Sequence, residues 1–467
     1  MKGSTLAAAL FAFIAAGFAL LTPVSDPDLF WHLASGDWML DHARLLDRDV
    51  FSFTRTGVAY HTGEWLGEIV LALAYRAGGW LGLELLRAAC VGIGTFFAAR
   101  AALRLQPHLG WAGLPVLASI LVSRTVWGDR PQLFTLALFP IVLDLLLGAR
   151  ISRSSRRLLL LPAIFFVWAN LHGAFAAGLV LVAVFVVESV LARETTRTQL
   201  LAALIASVLA TLVNPAGPGA LAAGFGYAAS SGAHVVEEGP LDVLSGAGIV
   251  VAAMLLGSLT IALVLGLDRI ATRLGMPLLW PGLVVPFAFL GFAIQRHAIL
   301  ACVVMAPFVA AGLPAAIGRP MRTAPLLPRW VSAAVLAACV LALGVTAVLV
   351  APRSPDLAAY PEGALAALAG RSGRLLNEYD WGGFLIRNAP DHPVFVDGRG
   401  ATLFVPGVVA DFDDAVRLRP GYRSVLDRWR IDLVLVRPQR PLAVALREEG
   451  WSVVQEEAGR WVLLARR

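Results

Sequence analysis

The feature that most constrains this chain is a series of long apolar runs that contain almost no charged residue. Of the 467 residues, 58% are hydrophobic and 15% are charged, whereas soluble domains are about 45–50% apolar and about 25% charged. A water-soluble core does not require so much apolar surface. The pattern therefore predicts a polytopic α-helical membrane protein and excludes a cytosolic enzyme, a secreted disulfide scaffold and a disordered chain.

The apolar runs predict about eleven transmembrane helices, since most are close to the roughly 20 residues that cross a hydrocarbon core. The first run could instead be a signal peptide, because Lys2 precedes a short apolar stretch. No clear small-residue cleavage site precedes Asp26, so we expect a retained helix. The predicted spans cover residues 5–22, 79–104, 110–124, 132–148, 157–170, 173–192, 198–213, 247–267, 277–293, 297–313 and 330–350.

The placement of arginine predicts the orientation in the cytoplasmic membrane. The formal net charge is +6, and almost all of the positively charged residues are arginines, because Lys2 is the only lysine. These arginines lie mainly at the ends of apolar runs, which indicates topology and not nucleic-acid binding. With the N-terminus inside, the outer turns after the first loop carry only Arg124, Arg130 and Arg296. Residues 64–77 then lie along the outer surface as an amphipathic helix.

An odd number of spans places the C-terminal segment outside the cytoplasm. That segment mixes short β runs, among them PVFVDGR, IDLVLV and RWVLLA, with helical stretches, and Ala458–Gly459 is a plausible hairpin turn. Strands that alternate with helices favour a small α/β domain. We therefore expect a transmembrane domain over residues 1–351, with an outer first loop at 23–78, and an extracytoplasmic α/β domain over 352–467.

Most of the unusual polar residues fall on the predicted outer side. They lie in the segments SDPDLFWH, HTGEW, SRTVWGDRPQ, NLHG, HVVEEGP and QRH. Polar groups at the ends of spans are costly unless they line a wet cavity or a site. The candidate site residues in these segments are Asp26, Asp28, Glu64, Arg124, Asp129, His172, Glu237, Arg296 and His297.

Each candidate also has a structural interpretation. Asp26 or Asp28 could cap the helix that follows, and Glu64 could interact with a helix dipole. Arg296 could extend to the lipid headgroups. The remaining alternatives are an Asp129–Arg130 ion pair, a solvated Glu237–Glu238 pair, and hydrogen bonds from Asn170 and Asn214 that tie helix ends together.

As an ordered set, these motifs resemble those of the GT-C superfamily of integral-membrane glycosyltransferases, in particular the oligosaccharyltransferase catalytic subunits. SDPD resembles the first-loop catalytic aspartate of that family, SRTVWGD its second outer motif, HVVEE its flexible-loop motif and QRH an arginine near the lipid phosphate. The segment YDWGGFLIRNAPDHPVFVDGRG resembles the Trp-Trp-Asp-Tyr-Gly region. The Trp-Trp pair is absent here, so asparagine-sequon glycosylation is not implied.

The resemblance implies transfer of a sugar or glycan from a polyprenyl-phosphate or diphosphate donor to an unidentified acceptor on the outer face of the bilayer. It implies Asp28 as general base, with Asp26 and Glu237 as further catalytic carboxylates. It also implies a divalent cation, Mg²⁺ or Mn²⁺, on Asp28, Asp129 and Glu237. A non-enzymatic lipid or glycan transporter, or an assembly scaffold with a degenerate site, is the alternative. The implied substrate contacts are Arg296, His297, Arg124, Glu64, His172, Asp380 and Trp381.

Overall fold

The structure is a computed structural model that describes residues 3–60, 62–222, 239–266, 279–318, 328–405 and 407–467. The chain divides into two compact units. The membrane unit consists of Met1–Thr22 and Leu81–Arg353, and the α/β unit consists of Pro23–Trp80 and Ser354–Arg467. The first loop, which the sequence analysis grouped with the transmembrane helices, therefore belongs to the same unit as the C-terminal segment.

A helix lies at each span predicted from the apolar runs. Gly79, with φ 58° and ψ −141°, interrupts the longest helix at the boundary between the two units. Glycine tolerates this left-handed φ because it has no Cβ. The helices are Gly3–Leu21, Trp65–Leu105, Leu109–Ser123, Gln132–Ser152, Leu161–Leu171, Phe175–Leu191, Arg197–Thr211, Gly246–Leu265, Leu279–Ala293, Ala298–Ala316 and Arg329–Val350.

The apolar helices identify the chain as a multi-pass membrane protein. Seven helices in the described part of the chain are long and apolar enough to cross a membrane, and three shorter helices are also apolar. Leu263 is 85% exposed and Phe289 is 74% exposed. Such outward apolar surface is favourable in lipid and unfavourable in water. The number of crossings, which we predict as eleven, stays a prediction.

Buried ion pairs join helices inside the membrane unit. Arg87 and Asp129 are each about 1% exposed, and their side chains are 2.5 Å apart. Arg87 also donates to the carbonyl oxygens of Ala19, at 3.2 Å, and Thr22. A charge buried away from water must be paired in this way. This single guanidinium therefore holds together the end of the first helix, the long helix and the turn that contains Asp129.

A small four-stranded sheet organises the α/β unit, in the order β1–β2–β4–β3. Strand β1 (Arg374–Asn377) runs parallel to β2 (Ile431–Val436), whereas β4 (Trp461–Ala465) is antiparallel to both β2 and β3 (Ser452–Glu457). Val434 pairs with Leu464 at the centre, and both are fully buried. The helices of this unit besides residues 65–78 are Leu29–His42, Glu362–Leu368, Gly382–Asn388, Gly407–Val416, Tyr422–Arg428 and Pro441–Glu448.

The predicted hairpin is confirmed, but the predicted β run PVFVDGR is wrong. Gly459 has φ 74° in the turn between β3 and β4. Residues 393–399 form an isolated parallel bridge, between Val394 and Ser52, and no strand, because side chains satisfy the backbone groups of the residues that follow. Asn377 accepts from the Phe395 amide at 2.8 Å and donates to the Val396 carbonyl at 2.9 Å. Side-chain bonds of this kind give the backbone an alternative to a sheet.

Candidate functional site

The two first-loop aspartates have different roles in the local structure. The Oδ1 atom of Asp26 accepts the backbone N–H of Asp28 at 2.9 Å, so Asp26 stabilises the turn. Asp28 occupies the N-cap position of the helix Leu29–His42, but its side chain makes no capping hydrogen bond. Its Oδ1 accepts from the indole Nε1 of Trp31 at 3.1 Å. The side chain of Asp28 thus does not serve as the helix cap.

Two glycines of the C-terminal segment lie against this first loop. A Cβ on Gly398 would lie 2.1 Å from Oδ1 of Asp28 and 2.7 Å from Nε1 of Trp31. A Cβ on Gly383 would lie 3.2 Å from both the Pro27 carbonyl oxygen and the Trp31 nitrogen. A Cβ would overlap these atoms at Gly398 and would be in tight contact at Gly383, so the absence of a side chain permits the close approach. The segments YDWGG and VDGRG therefore pack directly on SDPDLFW within the α/β unit.

The two tail residues expected at the site differ in exposure. Trp381 is 2% exposed, and its indole donates to the Ala359 carbonyl at 2.8 Å, which places it in the core. The side chain of Asp380 is 57% exposed and pairs with Arg437 at 3.2 Å. Of the pair, only Asp380 is accessible to an acceptor.

Sequence reasoning missed a buried charge cluster next to Gly398. The guanidinium of Arg399 donates to Asp397 at 2.8 and 2.6 Å and to Asp49 at 2.7 Å. All three side chains are almost completely buried. Burial alone would lower the pKa of Arg399, but Asp397 and Asp49 raise it above its usual value. The signal for this cluster in the sequence is weak. It consists of acidic residues and an arginine among apolar residues in the segments DRDVFSF and VDGRG.

The same cluster includes an aromatic side chain. The Tyr60 ring lies 5.2 Å from Cζ of Arg399. Burial raises the pKa of Tyr60 well above its usual value of 10.0, and the nearby Glu68 carboxylate adds to the effect. Tyr60 therefore stays neutral in the folded α/β unit at physiological pH.

Glu64 lies at the start of a helix, as its structural interpretation predicted. Its carbonyl accepts the Glu68 amide at 3.0 Å, and its own amide donates to the Thr62 hydroxyl at 3.3 Å. One turn later, Glu68 lies 3.3 Å from His32, and both are buried. This histidine–carboxylate pair was not predicted, although His32 lies in SDPDLFWH.

A second group of predicted residues lines a cleft in the membrane unit. It is formed by the start of the helix Gln132–Ser152, the turn around His172 and the short 3-10 turn Gln295–His297. Arg124 is exposed and does not line it. The lining residues are Val126, Gln132, Thr135, Leu136, His172, Ala174, Arg296, His297, Ile299 and Leu300.

Hydrogen bonds fix the protonation state of His172. Trp168 Nε1 donates to Oγ1 of Thr135 at 2.9 Å, and Oγ1 lies 2.8 Å from Nδ1 of His172. The backbone amide of Ala174 also donates to Nδ1, at 3.3 Å. A backbone amide can only donate, so Nδ1 is an acceptor that carries no proton, and the Thr135 hydroxyl donates to it. His172 is therefore the neutral tautomer with its proton on Nε2.

The predicted hydrogen bonds from Asn170 and Asn214 are confirmed, and they fix the turn that carries His172. The side-chain amide of Asn170 donates to the Val213 carbonyl at 2.9 Å, and that of Asn214 donates to the Ala169 carbonyl at 2.8 Å. These reciprocal bonds join the ends of Leu161–Leu171 and Arg197–Thr211. The cleft therefore combines a permanent cation, Arg296, with a rigidly held neutral histidine.

An apolar cavity adjoins this cleft. Leu136 and Ile299 line both spaces. The two spaces together offer a cationic end and an apolar end. The other residues that line the apolar cavity are Val91, Gly94, Thr95, Ala98, Val116, Ser119, Ile120, Ser123, Trp127, Pro140 and Val303.

Of the residues expected to bind a divalent cation, Asp28 belongs to the α/β unit and Asp129 to the membrane unit. Asp129 is paired with Arg87, so its charge is already balanced, and a metal ion would compete with that guanidinium. Glu237 lies outside the described residues. Within the ranges given above, no three His, Cys, Asp or Glu side chains are grouped as a metal site requires.

The chain has no match among protein-family models or curated proteins. Solved structures do match it. ArnT from Cupriavidus metallidurans, bound to undecaprenyl phosphate, aligns with a TM-score of 0.53 and 16% identity over 97% of this chain and 96% of that chain. Its apo state aligns at 0.52, with the same identity and coverage. The oligosaccharyltransferase of Archaeoglobus fulgidus aligns at 0.51 and 10% identity, over 92% of this chain and 69% of that chain.

At these identities the likeness concerns the fold, and it extends over nearly the whole chain. Both neighbours are GT-C glycosyltransferases. The protein described here accordingly has the GT-C fold of integral-membrane glycosyltransferases.

Proposed function

We propose that the protein is a glycosyltransferase of the cytoplasmic membrane that moves a sugar or glycan from a polyprenyl-phosphate or diphosphate donor to an acceptor on the outer face. One observation carries this proposal: the cationic cleft around Arg296 adjoins an apolar cavity within the membrane unit. A polyprenyl phosphate has the same two parts, an anionic head and an apolar chain. ArnT, which shares the fold, was solved bound to undecaprenyl phosphate.

In this proposal the donor phosphate binds beside Arg296 and His172. A guanidinium forms charge-assisted, often bidentate hydrogen bonds with phosphate oxygens. Nε2 of His172 carries a proton and donates a further bond without adding charge. Leu136 and Ile299 then contact the first part of the lipid chain. Both donors also stabilise the negative charge that develops on the phosphate when it leaves.

The transfer step needs a base. The acceptor hydroxyl attacks C1 of the sugar, the bond between C1 and the phosphate oxygen breaks, and the polyprenyl phosphate leaves with the electron pair. We assign the hydroxyl proton to Asp28, since one of its carboxylate oxygens is held by Trp31 and its side chain is not needed as a helix cap. A positioned base of this kind contributes about 10²–10⁴-fold.

The divalent cation implied by the resemblance stays a prediction, and no step above depends on it. The eleven crossings and the extracytoplasmic position of the α/β unit are also part of the proposal. They follow from the arginine-rich turns expected on the inner side.

The test is binding of undecaprenyl phosphate to the purified full-length protein, measured by native mass spectrometry. Arg296→Gln should weaken binding about 10–100-fold, the usual worth of a hydrogen bond to a charged group. Arg156→Gln, which changes an exposed arginine elsewhere in the membrane unit, is the matched control and should bind normally. Equal binding by wild type and Arg296→Gln would contradict the donor site.

A transfer assay then separates the enzyme from the alternative. Membranes that contain the protein should transfer label from a polyprenyl-linked sugar to an endogenous acceptor, and Asp28→Asn should not. Treatment with EDTA, followed by Mg²⁺ or Mn²⁺, measures whether a cation is required. Lipid binding without transfer would favour a transporter or scaffold.

A further inference from the structure

A second cluster of arginines lies at the other end of the helix Gln132–Ser152. Its centre is Asp144, whose side chain is fully buried. Arg104 donates to the two carboxylate oxygens of Asp144 from Nε at 2.7 Å and from Nη2 at 3.0 Å. Arg100 donates to Asp144 as well. The carboxylate thus fixes two guanidinium groups, whose side chains remain 22% and 33% exposed.

A third arginine, Arg157, lies beside Arg104 next to Gly148. A Cβ on Gly148 would lie 2.1 Å from Nη1 of Arg157 and 3.3 Å from Cζ of Arg104, so the two guanidinium groups are neighbours. Within the described ranges, Arg157 forms no ion pair. Two guanidinium groups thus bind the Asp144 carboxylate, and a third lies beside one of them. Their mutual repulsion is relieved when an anion binds between them.

The position of this cluster separates it from the donor cleft. Gln132 lines the cleft, and Gly148 lies sixteen residues later on the same helix, which is about 24 Å along its axis. That distance approaches the ~30 Å thickness of a hydrocarbon core. The two cationic sites thus lie near opposite membrane surfaces. The second has exposed apolar neighbours in the chain: Ile151 (49%), Leu159 (80%) and Leu160 (54%).

We propose that Arg100, Arg104 and Arg157 bind the phosphate of an anionic membrane lipid at the surface opposite the donor cleft. Guanidinium groups match the geometry of phosphate oxygens. Basic pockets between transmembrane helices are suited to acidic headgroups. The exposed leucines beside Arg157 favour a lipid over a soluble anion, because they offer contact to acyl chains. This site does not depend on the proposed transferase activity.

The experiment uses the full-length protein in nanodiscs of phosphatidylcholine with a fraction of phosphatidylglycerol. Native mass spectrometry counts the phosphatidylglycerol molecules retained after release from the nanodisc. Arg157→Gln is the test variant, because this side chain supports no ion pair in the described structure and its loss should not impair folding. Arg156→Gln is the matched control, since it removes the adjacent, exposed arginine.

The wild type and Arg156→Gln should retain phosphatidylglycerol, and Arg157→Gln should bind it about tenfold more weakly, as expected when one charge-assisted phosphate contact is lost. Equal retention by both variants would overturn the site. Equal retention of phosphatidylcholine would also overturn it. If millimolar inorganic phosphate displaces the lipid from the wild type, the ligand is a soluble anion and the lipid assignment is wrong.

Discussion

At the residue scale, the account depends most on Asp28. The sequence could not decide between a helix cap and a catalytic carboxylate, because both place an aspartate before an apolar helix. The structure shows that the side chain of Asp28 accepts a hydrogen bond from Trp31 and makes no capping bond. Asp26 instead holds the turn. The stability of the loop and the proposed chemistry thus depend on different carboxylates.

Asp28→Asn should reduce transfer by about 10²–10⁴-fold, because an amide cannot take up the acceptor proton. Its oxygen still accepts from Trp31, so the melting temperature should remain near that of the wild type. Rates and thermal unfolding are measured on the same preparation. Transfer at the wild-type rate would remove Asp28 from the mechanism.

Gly398→Ala tests how Asp28 is positioned. The added Cβ would lie 2.1 Å from Oδ1 of Asp28, so the carboxylate must move. We expect transfer to fall at least tenfold, since a displacement of about 1 Å at a reacting group is costly. Gly63→Ala is the control in the same unit, because nothing lies within 4 Å of its added methyl. Equal activity of the two variants would show that Asp28 tolerates displacement.

At the scale of elements, the apolar helices and most strands could be predicted from the sequence, whereas the side-chain networks could not. The apolar helices and strand β2 can be recognised from the spacing of apolar residues in the local sequence. Residues 393–399 are as apolar as a strand, but the distant Asn377 binds their backbone. The cluster of Arg399, Asp397 and Asp49 joins positions 350 residues apart. No local pattern reveals such a pairing.

Arg399→Leu should destabilise the α/β unit by about 3–5 kcal/mol, because Asp49 and Asp397 would lose a buried cation. Arg417→Gln, which breaks the exposed pair with Asp413, should cost about 0–1 kcal/mol. Denaturant unfolding followed by tryptophan fluorescence measures both. Similar losses in the two variants would contradict the importance of the buried cluster.

Tyr60 gives the α/β unit a defined sensitivity to alkaline pH. Burial raises its pKa above 10.0 in the folded state, so its contribution to stability is fully present below about pH 10. That contribution is lost as the pH rises through the folded pKa. Wild type should therefore lose more stability than Tyr60→Phe between pH 9 and 11. Parallel pH profiles in urea unfolding would refute this.

At the scale of the whole molecule, the overall fold was predictable because composition excludes a soluble protein and the ordered motifs resemble those of proteins with this fold. The grouping of the first loop with the C-terminal segment was not predicted. The two segments contact each other at Gly383 and Gly398, where the absence of a side chain allows the backbone to lie against the first loop. Glu237 lies outside the described residues, so its catalytic and metal-binding roles stay predictions.

Topology follows from the arginine clusters and is tested on the intact chain. Alkaline phosphatase fused after Arg467 should be active, because the C-terminus is predicted outside the cytoplasm. Green fluorescent protein at the same position should be dark. The reverse pattern would overturn the span count and the outward orientation of the candidate site.

The central claim is that the cleft of the membrane unit binds a polyprenyl phosphate. It is tested most directly by crosslinking with an undecaprenyl phosphate that carries a photoreactive group in its first isoprene unit, followed by peptide mapping of the full-length protein. The account predicts adducts in the segments that line the cleft and adjoining cavity, Gln132–Leu136 and Gln295–Val303, and their loss in Arg296→Gln. Adducts confined to other helices, or unchanged by that substitution, would contradict it.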